Sequence, residues 1–244
     1  LSKRTGAGSV ANLLKCDRRR LMEQLGNYGK AGTLVLVRTL GKISAYSVCA
    51  REAAKLGAVS SAAHAVCFAL GVATTQLCEA AAVATQTLLA REFYAEKATN
   101  LKRSHRILRL GLATGLGCSS LLATGTYLNR NNVVAGLTTD PKVRAACLGV
   151  FPLVMLCQAL KGLAYPVNGL LMGALDWSAA SVTMWASNIA CLLVLARPTP
   201  SSLDKLWTGF AALFIVQCGA GLLRVASRTG PWTRLRRPSS ASTA

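Results

Sequence analysis

The chain has 244 residues, of which 52% are hydrophobic and 15% charged, with a formal net charge of +19. The apolar residues fall in long blocks between short basic segments, which excludes an ordinary soluble domain and points to membrane-spanning helices. The excess of Lys and Arg is gathered in connecting segments and follows no nucleic-acid-binding motif, so no nucleic-acid partner is expected.

Six apolar segments reach the roughly 20 residues needed to cross about 30 Å of hydrocarbon, and they predict an all-α integral membrane protein. Residues 1–26 open with Leu1 and carry Lys3, Arg4, Lys15, Arg18, Arg19 and Arg20. They lack the apolar core of a signal peptide and are expected to form a basic linker inherited from sequence upstream. The first span is expected over 27–50 and is followed by a turn with Arg51, Glu52 and Lys55. A second is expected over 58–90. As a straight helix its 60–90 stretch would measure about 46 Å, so it must tilt, bend or protrude.

A basic connector with Arg91, Lys97, Lys102, Arg103, Arg106 and Arg109 leads to a third span over 104–128. There Gly111 and Gly115 make a GxxxG step, which permits close helix approach in lipid. Asn129 to Pro141 supply turn chemistry, and a fourth span is expected over 143–173. Pro152 and Pro166 are expected to break it, because each removes a helical N–H. Spans over 177–196 and 206–226 complete the set. Residues 228–244 are expected to be a basic segment that passes into a disordered tail.

Threading the spans puts seventeen basic residues on the side of both termini and seven on the other. The excess predicts that the termini are cytoplasmic or in the equivalent organelle compartment.

Nine cysteines show no CxxC spacing and lie mostly in apolar spans, where they act as small hydrophobes. His64 and His105 are too few and too far apart to build a metal site. No nucleophile motif, phosphate loop or paired hydrolase carboxylates occur, so the expectation is no enzyme, no metal and no cofactor.

Several short runs then stand out in order: Ala50-Arg51-Glu52, Ala80 to Gln86 (AAAVATQ), Phe151-Pro152-Leu153-Val154 with Gln158, Gly173-Ala174-Leu175-Asp176 and Thr229-Gly230-Pro231-Trp232. Together they resemble the second lobe of MATE (multidrug and toxic compound extrusion) transporters, in particular the plant and algal DinF-like, or DETOXIFICATION, branch. The resemblance implies a bundle equivalent to the C-terminal half of a twelve-helix transporter that works by rocking two lobes about a central cavity. It also implies a missing N-terminal lobe, a bilayer, a small organic solute and a proton or sodium ion as coupling ion.

Charge at bilayer depth is costly and marks function. Glu79 stands where the branch usually carries an Asp, so it is expected either to carry the coupling ion in the cavity or to serve as a structural partner for a polar neighbour. Arg38 resembles an Arg common in the branch and would attract an anionic solute or pair with Glu79. Lys30 and Lys42 lie nearer the span ends and are expected to snorkel.

The fourth span departs from the family pattern. Lys161 stands where many bacterial relatives have an Asp, and Asn168 precedes Gly169 where the plant branch has an Asp. Lys161 would favour organic-anion cargo or else be sealed in an interhelical ion pair. Gln76, Gln86, Gln158 and Asn168 would bridge helices or line the cavity. The expected function is therefore the lobe of an antiporter that exports organic solutes or xenobiotics, anions among them, in exchange for protons. The alternative is an inactive half-transporter that acts as a partner-dependent membrane interaction protein. The membrane is either a plastid envelope or a plasma membrane.

Overall fold

The computed structural model describes residues 18–94 and 100–235, and all regular structure among them is helical. Seven α-helices follow in order: α1 Arg18–Lys55, α2 Ala58–Phe93, α3 Leu101–Leu128, α4 Arg130–Leu137, α5 Pro141–Gly173, α6 Trp177–Leu195 and α7 Leu203–Ala226. A short 3-10 turn, Gly230–Leu235, closes the described chain. Residues 1–17 of the expected linker and 236–244 of the expected tail lie outside the described residues.

Five helices (α2, α3, α5, α6 and α7) are long and apolar enough to cross a membrane. The sixth expected span is present as α1 but does not meet that description. Its 38 residues are ample, yet Lys30, Arg38 and Lys42 interrupt its apolar stretch. It also starts at Arg18, within the segment read as linker. Isolated α1 is thus a poor membrane helix, and the bundle supplies partners for the two charges nearest its middle.

Helix starts follow local chemistry. Asn100 caps α3 by accepting from the Arg103 backbone N–H at 3.1 Å, which sets the start three residues before the apolar run begins. Asp140 caps α5, accepting from the Lys142 N–H at 2.7 Å, with Pro141 in the first turn where no N–H is needed. Between them, the stretch read as a turn holds the small helix α4. Arg144 secures its end by donating to the carbonyls of Thr138 at 2.7 Å and Ala135 at 3.1 Å.

Helix α5 is the centre of the bundle, packed against α2, α3 and α7, while α6 joins α7 to α1. It runs unbroken from Pro141 to Gly173, so the expected breaks at Pro152 and Pro166 do not occur. At Pro166 the reason is visible. The missing N–H leaves the carbonyl of Gly162 without its helical donor, and Gly115 of α3 presses against that carbonyl so closely that a Cβ there would collide with it and with the proline ring. A Cα–H···O contact from Gly115 is the natural replacement. Gly111, one turn earlier, lies against Thr85 of α2, so the GxxxG step serves two neighbours.

One apolar core lies where α5 meets α7, around Phe151, Val154, Trp207, Phe210 and Phe214. His64 is buried there, stacked near Phe68 and Phe210 at 6.0 and 6.1 Å. A second core at the other end gathers Leu89, Phe93, Leu170, Leu171 and Trp232. The described cysteines are free, and all but Cys118 are buried.

Candidate functional site

Helical spacing brings polar side chains from four helices to one place. On α1, Arg38, Lys42 and Tyr46 recur every four residues. On α2, Glu79, Ala82, Val83 and Gln86 share a face, as do Tyr165, Asn168, Gly169 and Met172 on α5. With Gln217 of α7 these groups line a cavity of about 140 Å³.

Small residues make the convergence possible. Gly169 lies on the backbone of Ala82 and Gly173 on that of Gln86, so α2 and α5 touch through their main chains. Of the small-residue run from Ala80 to Gln86, Ala82 is the one buried in this contact. Replacing Gly169 by Ala should force the helices apart at a cost of about 1–3 kcal/mol, read as a melting temperature several degrees lower. Gly149→Ala, at a site where a Cβ meets nothing within 4 Å, should leave melting unchanged or raise it. Equal behaviour of the two variants would refute the close-packing account.

Arg38 donates from Nη1 to Oδ1 of Asn168 at 2.7 Å, and its buried Nε has no protein partner. Lys42 donates to the Tyr165 hydroxyl at 3.0 Å and sits 5.0 Å from the centre of that ring. The expectation that Lys42 snorkels to the membrane surface is therefore wrong, because its side chain faces α5 and not lipid. Lys30, in contrast, is exposed. Glu79 borders the same cavity on its exposed side and forms no ion pair among the described residues, so the expected Arg38–Glu79 pair is not made.

Lys161 and Gln158 belong to a different layer. Lys161 is buried, donating to the Gly71 carbonyl and to Thr75 Oγ1, each at 3.2 Å, with the Phe214 ring 5.5 Å away. No carboxylate pairs with it among the described residues, so the sealed ion pair is replaced by neutral acceptors and an aromatic face. Gln158 accepts from Thr74 at 2.9 Å. Gln76 is exposed. Phe214 borders both layers.

The structure thus unites Arg38, Glu79, Gln86 and Asn168, and separates Lys161 and Gln158 from them. It adds Lys42, Tyr46, Tyr165 and Gln217. Their signal was present as spacing: Lys42 and Tyr46 lie four and eight residues beyond Arg38, and Tyr165 three before Asn168. Chemically the cavity offers two cationic donors, two phenols, three amides and one carboxylate, a set able to hydrogen-bond a polar group.

No family model matches the chain. Among curated relatives, it is 32% identical to Protein DETOXIFICATION 42 of Arabidopsis thaliana over 87% of this chain and 41% of the relative. Identity to Protein DETOXIFICATION 43 of the same plant is 30%, over 90% of this chain and 41% of the relative. Against Protein DETOXIFICATION 44, chloroplastic, it is 28%, over 85% and 40%. The chain spans about two fifths of the length of these proteins. Sequence and all-helical membrane bundle together make it a homologue of the DETOXIFICATION (MATE) transporters, corresponding to one lobe, the C-terminal half, of their fold.

Proposed function

We propose that the chain is the C-terminal lobe of a secondary active transporter that exports organic solutes, organic acids among them, in exchange for protons. The observation that carries this reading is the cavity in which Arg38 and Lys42 meet Glu79. Both cations are held by neutral acceptors, so their charge stays uncompensated and attracts a carboxylate. Exchange requires proton and solute to compete, since a ligand shifts a conformational equilibrium only through its differential affinity. Glu79 supplies that competition: ionised, it accepts a charge-assisted hydrogen bond from a donor group on the solute, and protonation weakens it as an acceptor.

Glu79 and Val83 leave the cavity open on the α2 side, where a second lobe of the complete transporter would close it. Both termini are assigned to the cytoplasmic side by the basic excess. Two relatives bear the word chloroplastic in their names, which favours a plastid envelope over a plasma membrane.

The test is flux in proteoliposomes that contain the full-length protein carrying this lobe, loaded with a fluorescent organic acid. An inward proton gradient should drive efflux, a protonophore should stop it and a sodium gradient should not replace it. Flux indifferent to the proton gradient would refute the proposal. The same lobe in a purely interacting half-protein would give no flux under any gradient.

A further inference from the structure

A second concavity has no part in the cavity above. It lies between α2 and α3 with a volume of about 690 Å³, within the range of sites that hold a whole small ligand. Its walls are apolar: Ala81, Ala84 and Leu88 from α2 face Leu110 and Ile107 of α3. Ala81 and Ala84 are one helical turn apart, and their short side chains open the groove. Contact of Thr85 with Gly111 holds the two helices together beneath it. Leu88 and Leu110 remain 45% and 52% exposed, an apolar surface on two membrane-length helices.

The end of the groove where α3 begins is cationic. Lys102, Arg103 and Arg106 stand there, together with the Asn100 cap. Arg103 pairs with Glu92 at 3.3 Å, whereas Lys102 and Arg106 form no ion pair among the described residues. The positive end of the α3 dipole adds to their field. From Arg103 to Thr114 the groove follows α3 for about 16 Å at 1.5 Å per residue.

A polar solute would leave the alanine and leucine walls unmatched, and a purely apolar one would ignore the cations. An anionic head on an apolar stem satisfies both. We propose that this groove binds an anionic phospholipid, with its phosphate on Lys102 and Arg106 and an acyl chain along Ala81, Ala84, Leu88 and Leu110.

Titration of the detergent-purified full-length protein with phosphatidylglycerol or phosphatidylcholine, followed by native mass spectrometry and thermal melting, tests this. Phosphatidylglycerol should be retained and raise the melting temperature, phosphatidylcholine should do neither, and inorganic phosphate should not displace the lipid. Lys102→Ala with Arg106→Ala should weaken phosphatidylglycerol binding at least tenfold. Arg91→Ala with Arg109→Ala removes the same charge outside the groove and should leave binding intact. Ala84→Trp, which fills the floor while keeping both cations, should weaken binding too. The proposal fails if both lipids bind alike, if the two double variants lose binding equally, or if phosphate alone displaces the lipid. It also fails if the protein forms a dimer that retains no lipid.

Discussion

Glu79→Gln in the full-length transporter should abolish proton-driven flux while leaving expression and gradient-free exchange of labelled for unlabelled solute intact. The substitution keeps the side chain's size and one carbonyl acceptor for the solute, and removes the charge together with the ability to gain and lose a proton. Glu79 is the one carboxylate that borders the polar cavity, and it faces outward from this lobe unpaired among the described residues, so no neighbour inherits its role. Coupled flux should fall at least tenfold, equivalent to about 1.4 kcal/mol in the transport barrier, and lose its dependence on pH. Wild-type pH dependence in the variant would remove Glu79 from the coupling step. Loss of exchange as well as coupling would mean that the Gln carbonyl cannot replace the carboxylate as the solute's acceptor.

The long apolar helices were legible because hydropathy over 20 residues outweighs every local signal. That same rule left α1 undervalued in extent and overvalued in character: residues from Arg18 to Gly26 are too polar to read as span, yet they continue one helix. Pro152 and Pro166 read as breaks because a missing N–H disrupts an isolated helix. In α5 the carbonyl freed at Pro166 meets Gly115, a contact that no local window contains. Lys42 was misread for a related reason, since snorkelling presumes a side chain that faces lipid and its direction depends on where α5 lies. Glu79 and Arg38 were legible as a pair of rare charges, but not their separation. Gly173 to Asp176 and Thr229 to Trp232 were visible only as patterns resembling a family, since their physical meaning depends on a contact spanning 56 positions.

That contact predicts the largest stability effect in the bundle. Asp176, buried at the turn between α5 and α6, accepts on Oδ2 from Arg224 Nε at 2.8 Å and from Trp232 Nε1 at 3.0 Å. Arg224 also donates to Thr229 Oγ1 at 2.6 Å, and Trp232, wholly buried, meets Phe93 of α2 edge-on at 5.8 Å. One carboxylate therefore fastens the ends of α2 and α7 to the α5–α6 turn, with Leu175 held at φ 55° to place it. Trp232→Ala removes a full indole from a closed site and should cost about 3–5 kcal/mol, a fall in melting temperature on the order of 10 °C for a domain of this size. Trp232→Phe retains the ring but strands one lone pair of Asp176, and should cost about 1–3 kcal/mol. Asp176→Asn combined with Trp232→Phe should then be less damaging than the sum of the two single variants, because both disrupt the same hydrogen bond. Strict additivity in detergent melting experiments, or a Trp232→Ala shift below about 2 °C, would mean that the turn after α7 rests on the bundle without fastening it.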